Sequence, residues 1–127
     1  MKFSHIFILI VTFFVSGNAA FSQTSNGTQE YGDGGAYEGE FLNGLPHGNG
    51  TYDLSNGYRY VGEWFEGEIN GQGEALFPNG SVYIGSFVKG KPEGSGKITF
   101  SDGGTYEGEW TNGSITGVGY AKYANGT

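Results

Sequence analysis

The chain has 127 residues, 26 of them Gly, with no Cys and a formal net charge of −7 at pH 7. Glycine at about three times its usual share argues against a helical bundle, because each interior Gly costs about 1 kcal/mol relative to Ala. Collagen is excluded by the 3 Pro and the lack of a three-residue glycine period, and simple disorder is disfavoured by the 17% aromatic content. The absence of Cys removes disulfides, zinc–thiolate sites and thiol chemistry. A sequence pI near 4.6 lacks the basic stripe that nucleic acid requires.

Lys2 precedes the apolar run IFILIVTFFV at residues 6–15, and the small residues Ser16, Gly17, Ala19, Ala20 and Ser22 follow it. This is the order of a cleavable secretory signal. The run is too short to cross a bilayer as a helix, which takes about 20 apolar residues. The expectation is a signal peptide over residues 1–22, with cleavage after Ala20 as the alternative, and an exported mature protein (periplasmic, cell-surface or extracellular). A buried N-terminal strand is the competing reading. Residues 23–31 read as a polar linker.

The remainder, residues 32–127, is periodic. Repeats of 23 residues start at Tyr37, Tyr60, Tyr83 and Tyr106 without insertion. In each, place 1 is Tyr, place 5 is Phe41, Trp64, Phe87 or Trp110, and places 3, 8, 12, 14 and 21 are Gly. The place-3 glycines are Gly39, Gly62, Gly85 and Gly108. Upstream, DGGAYEGE at Asp33 matches DGGTYEGE at Asp102, so residues 32–36 are the tail of a degenerate leading repeat.

Places 1–5 and 14–18 alternate in the manner of strands, and Asn56-Gly57, Asn79-Gly80, Asp102-Gly103 and Asn125-Gly126 mark tight turns. A two-residue loop would mix the apolar stripe with polar side chains. A three-residue loop at residues 55–57 instead sets Tyr60 opposite Tyr52, Gly62 opposite Gly50 and Trp64 opposite Gly48, which keeps one face apolar. Pro78 suits the first central position of such a turn. The predicted fold is all-β: a single-layer antiparallel sheet of stacked hairpins, elongated and twisted. One face carries aromatic rings over glycines, and the other carries Glu38, Glu40, Glu63, Glu107 and Glu109 with Val61, Ile84 and Leu76 among them.

The line Y-x-G-x-[FW]-x-x-G-x-x-x-G-x-G at a 23-residue period resembles the MORN repeat family (membrane occupation and recognition nexus). The resemblance covers residues 32–127. It implies stacked β-hairpins in a grooved sheet and a scaffold role in binding proteins, with lipid headgroups also proposed for the family. It brings no catalytic residues.

Little else in the chain points to chemistry. His47, at place 11, is expected in a longer loop and exposed to solvent. GSFVKGKP, from Gly85, nearly spells a phosphate loop, but Pro92 stands where Ser or Thr must bind magnesium. The pairs Glu38/Glu40 and Glu107/Glu109 lie on an open strand face, not across the cleft that acid–base catalysis on a sugar needs; weak Ca²⁺ binding is their alternative role. Asn26, Asn49, Asn79, Asn112 and Asn125 begin Asn-Gly-Ser/Thr sequons, mostly as by-products of turn chemistry.

The expected function is therefore that of a non-catalytic exported scaffold, without cofactor or metal, binding a protein partner through its aromatic face. The expected contact residues are Tyr37, Phe41, Tyr60, Trp64, Tyr83, Phe87, Tyr106 and Trp110, with the hydroxyls of Tyr60 and Tyr83 as hydrogen-bonding groups toward the partner. Three alternatives stand beside it: a cell-envelope glycan-binding module, a phospholipid-binding module, and the N-terminal regulatory part of a larger enzyme. Only Arg59, Lys89, Lys91, Lys97 and Lys122 are cationic after the signal, so anionic lipid gains little electrostatic attraction. An open last strand would also permit self-association.

Overall fold

The computed structural model describes residues 24–125 and the backbone of residues 12–13. The expected signal peptide, apart from that dipeptide, lies outside the described residues. Ten strands follow in chain order: β1 (Thr12–Phe13), β2 (Thr24–Glu30), β3 (Ala36–Leu42), β4 (Leu45–Asp53), β5 (Arg59–Phe65), β6 (Glu68–Leu76), β7 (Val82–Val88), β8 (Lys91–Thr99), β9 (Thr105–Thr111) and β10 (Ser114–Lys122). They make one open antiparallel sheet in which every strand pairs with its sequence neighbours. Nine full strands at about 4.8 Å each extend over roughly 40 Å.

The register between repeats is the one the apolar stripe requires: Tyr52 faces Tyr60, Gly50 faces Gly62 and Gly48 faces Trp64. The connecting loop has three residues. The Gly57 amide donates to the Leu54 carbonyl at 3.1 Å and the Leu54 amide to the Tyr58 carbonyl at 2.9 Å. The same pair of bonds recurs at Phe77–Ser81, with Pro78 in the first central position, and at Phe100–Gly104. Asn56, Asn79 and Asp102 each accept from the amide two residues on, which locks the turn.

Within a repeat the strands join through a two-residue turn. Asn43 and Gly44 both take positive φ, 52° and 84°, the type I′ geometry that matches strand twist. Glu66-Gly67, Lys89-Gly90 and Asn112-Gly113 do the same. This corrects the expectation of a longer loop: places 9–13 return as strand, and His47 lies in β4. The strand is bulged there. Gly39 pairs with Gly50 and Phe41 with Pro46, so β4 spends three residues where β3 spends one. Because the excess is two, side-chain alternation is conserved and Phe41 and Pro46 stay on the face of Tyr37.

A second correction concerns the expected linker. Residues 24–30 are strand β2, paired with β3 from Thr24↔Leu42 to Glu30↔Ala36. Tyr31 and Gly35 close its turn with the same two bonds as the later repeats. The leading half-repeat is thus a whole strand longer than its sequence signature, because in β2 only Gly27 carries a repeat residue.

Candidate functional site: the aromatic trough

The place-1 and place-5 rings form one column. Tyr37 meets Phe41 of its own repeat at 5.1 Å and Trp64 of the next at 4.8 Å, both edge-to-face. Tyr60–Phe87 and Tyr83–Trp110 repeat the second contact at 5.0 Å each. Such pairs add about 0.5–1.5 kcal/mol beyond area burial. Trp64 and Trp110 also donate Nε1–H to the Gly50 and Gly96 carbonyls of the preceding repeat.

The invariance of Tyr over Phe at place 1 has a local cause. The bulge frees the place-4 carbonyl from the strand ladder, and a buried unpaired carbonyl is costly. Tyr37, Tyr60 and Tyr83 donate their hydroxyls to the carbonyls of Glu40, Glu63 and Ser86 at 2.7, 2.8 and 2.9 Å. Each ring also lies against the place-14 glycine, where a β-carbon would overlap it. Burial pushes the phenols of Tyr37 and Tyr60 well above the ordinary value, so they remain donors throughout the neutral range.

All eight expected contact residues lie on this face, and all are buried, none more than 8% exposed. They are the floor of the sheet's buried apolar layer. The hydroxyls of Tyr60 and Tyr83 are used within the chain and do not face outward to a partner. What the face presents is a second rank packed on that floor: Tyr31, Tyr52, Tyr58, Phe77 and Ile98, with Phe100 40% exposed. Most of these occupy places 16 and 18, which the strand alternation marks as apolar. Sequence alone does not separate them from the floor, because both ranks alternate onto the same face.

This second rank and the row of two-residue turns bound a trough. It holds two hollows. One, of about 380 Å³, lies between Tyr31, Tyr52, Trp64, Ile69 and the turn at Lys89-Gly90. The other, of about 420 Å³, lies between Phe77, Ile98, Phe100, Pro92, Trp110 and the turn at Asn112-Gly113. Gly90 borders both. The hydroxyls of Tyr31, Tyr52 and Tyr58 make no hydrogen bond among the described residues.

The turn row is stitched from repeat to repeat. The amides of Gly67, Gly90 and Gly113 donate to the carbonyls of Pro46, Ile69 and Pro92, at 2.8, 3.0 and 2.9 Å. His47 belongs to this stitching: its Nδ1 accepts from the Glu66 amide at 3.2 Å, and Glu93 accepts from Asn112 in the same way. The expectation of a merely solvated loop histidine is corrected accordingly. The opposite face exposes Glu38, Glu40, Glu107 and Glu109. Among the described residues, no three His, Asp or Glu side chains are grouped to hold a metal ion.

The family model described as MORN repeat matches residues 37–57, 60–82, 83–105 and 106–127, more than half of the chain. No curated protein matches the chain.

Proposed function

The chain belongs to the MORN repeat family, and on that premise we propose that it is a non-catalytic binding module whose aromatic trough takes an extended segment of a partner protein. The observation that carries the reading is the pair of apolar hollows that follow one another along the trough, with Gly90 bordering both. Exposed, contiguous apolar surface of this kind marks interaction sites. Two strands advance about 9.6 Å along the ribbon. A polyproline II segment advances about 9.3 Å per three-residue turn. Such a segment lying along the trough advances about one turn per repeat, and aromatic-lined grooves are the usual receptors for that conformation. The hydroxyls of Tyr31, Tyr52 and Tyr58, which make no hydrogen bond among the described residues, supply donors for its carbonyls.

The test is titration of the purified chain with a fluorescent proline-rich peptide carrying Leu or Phe at every third residue. Tyr52→Ala and Phe77→Ala, each taking away half-buried rim rather than floor, should weaken binding about tenfold or more. Glu38→Gln with Glu107→Gln on the opposite face should leave it unchanged. Binding to phospholipid vesicles or cell-wall polysaccharide, with no binding to the peptide, would overturn the reading.

The same proposal places the protein outside the cytoplasm. It rests on Lys2, the apolar run at residues 6–15 and the small residues after it. The secreted or periplasmic fraction should contain a chain starting at Gln23 or Phe21. An intact Met1 on the soluble protein, seen by mass spectrometry, would refute export.

A further inference from the structure

We propose that the first hollow of the trough is a subsite for a cationic side chain, Arg before Lys, so that the segment taken up is a basic one, with its cation in the first hollow and an apolar side chain in the second. The inference rests on the trough being the binding surface and names the chemistry of its occupant.

The two hollows differ in what lines them. Tyr31, Tyr52 and Trp64 line the first. Tyr31 meets Tyr52 at 6.1 Å with 80° between the ring planes, and Tyr52 meets Trp64 at 5.7 Å with 85°. The corner of such a T is bounded by a π-face of each ring, and the π-face is the negative part of the ring quadrupole. Three rings around one space therefore attract a cation, most strongly over Trp. Arg suits them better than Lys, because its planar guanidinium stacks on aromatic faces and is more weakly hydrated. The second hollow has Pro92 and Ile98 beside its rings, and among the described residues no carboxylate borders it. It suits an apolar side chain.

Fixed charge divides the trough in the same way. Asp33 Oδ1 accepts from the Gly35 amide at 2.9 Å, in the turn that follows β2. A β-carbon on Gly35 would lie 3.1 Å from that oxygen and 3.4 Å from the Tyr52 hydroxyl, so the carboxylate sits beside the mouth of the first hollow. Burial, and after it Asp33, hold the Tyr52 phenol above its ordinary value; at Tyr31 the causes are burial, then Tyr52, then Asp33. Both phenols thus stand in the field of that carboxylate. On the turn side Glu68 and Lys89 border the hollow together and offset each other in charge. Over the chain, the excess of carboxylates lies wholly in residues 24–88, where Arg59 is the single cation and is paired with Asp53 at 2.9 Å. In residues 89–125 four Lys balance four carboxylates. The first hollow lies toward the acidic end of the trough and the second toward the neutral end, which is the complement of a segment with a cation ahead of an apolar anchor.

Fluorescence titration with three kinds of proline-rich peptide tests the proposal. The parent carries Leu at every third residue. A mixed peptide has Arg in place of the Leu at one end, made once for each end, and the third kind has Arg at every such position. The better mixed peptide should bind about tenfold tighter than the parent at physiological salt, and tighter than the all-Arg peptide, since the second hollow gains nothing from a charge. Residue types found at the same places of other repeats supply variants that keep the fold. Asp33→Asn introduces the type that stands there as Asn56 and Asn79, and Tyr31→Leu the type that stands there as Leu54. Each should lower the preference for the mixed peptide about threefold or more. Lys89→Asn, the type of Asn43 and Asn112, should raise it. Glu38→Gln removes as much charge as Asp33→Asn but from the opposite face, and should leave the preference unchanged. Circular dichroism checks that each variant folds. A parent that binds as tightly as the mixed peptides would overturn the cationic subsite and leave the trough standing as an apolar receptor. Equal losses from Asp33→Asn and Glu38→Gln, or tightest binding of the all-Arg peptide, would also overturn it, showing only diffuse attraction to an acidic chain. Binding of none of the peptides would overturn the trough itself, and the subsite with it.

Discussion

The ring of Tyr83 lies so close to Gly96 that a β-carbon on the glycine would overlap its Cε1, Cζ and hydroxyl. The aromatic residue and the glycine thirteen places on are one structural unit, repeated as Tyr37 with Gly50, Tyr60 with Gly73 and Tyr106 with Gly119. Gly96→Ala should therefore destabilise the fold by about 1–3 kcal/mol through overpacking. Ser95→Ala, at the exposed neighbouring position, should stay within about 0.5 kcal/mol. Thermal melts of the two variants check this; equal shifts would mean that the ring does not rest on the glycine.

Gly62 sets the closest approach of β5 to β6. A β-carbon there would come within 2.5 Å of the Gly73 Cα and 2.6 Å of the Gln72 carbonyl oxygen. Backbone cannot rotate away as a side chain can, so Gly62→Val should cost at least about 3 kcal/mol, the upper part of the overpacking range. Glu63→Gln keeps an oxygen that can accept from the Gln72 amide and should be nearly neutral. Urea midpoints for the pair measure the difference, and comparable midpoints would contradict the close approach.

Tyr60→Phe keeps the ring and removes the donor to the Glu63 carbonyl. Stability should fall by about 0.5–1.5 kcal/mol, or somewhat more because the carbonyl is left unpaired. Partner affinity should not change, since the hydroxyl points into the bulge. Loss of affinity at unchanged stability would instead put that hydroxyl in the binding surface.

Alkali should unfold the chain. Burial holds the phenols of Tyr37, Tyr60 and Tyr83 above their ordinary value near 10 in the folded state. Above that pH the unfolded chain loses these protons and the folded one keeps them, so the unfolded state binds fewer protons and stability falls as pH rises. The contribution is complete below about pH 10 and declines beyond it. The melting temperature should be flat through neutral pH and drop on the alkaline side, with phenolate absorbance appearing together with unfolding. Phenolate absorbance rising well before unfolding would show that these hydroxyls are free.

Trp64→Phe tests the stitch between repeats. The ring survives, as Phe41 and Phe87 show at the same place, but the Nε1 bond to the Gly50 carbonyl is lost. A cost of about 0.5–1.5 kcal/mol is expected. Denaturation followed by far-ultraviolet circular dichroism measures it, and an unchanged midpoint would make the bond incidental.

The 23-residue period, the strand alternation and the Asn-Gly turns were sufficient by themselves to specify hairpins, their order, and the facing of Tyr52 with Tyr60. These are local or nearest-neighbour properties: side-chain alternation has a period of two, and only one register keeps every apolar residue on one face. Three things waited for the tertiary structure. The course of places 9–13 depends on a bulge in which three residues of β4 oppose one of β3, and composition does not announce how many residues a bulge absorbs. The strand character of residues 24–30 comes from the edge that β3 offers them, since TSNGTQE has no apolar alternation of its own. The division of the aromatic face into a buried floor and an accessible rim is set by which rings lie beneath the next repeat. Tyr60 and Tyr52 share a residue type and a face, and only their neighbours in space bury the first and leave the second open to a ligand.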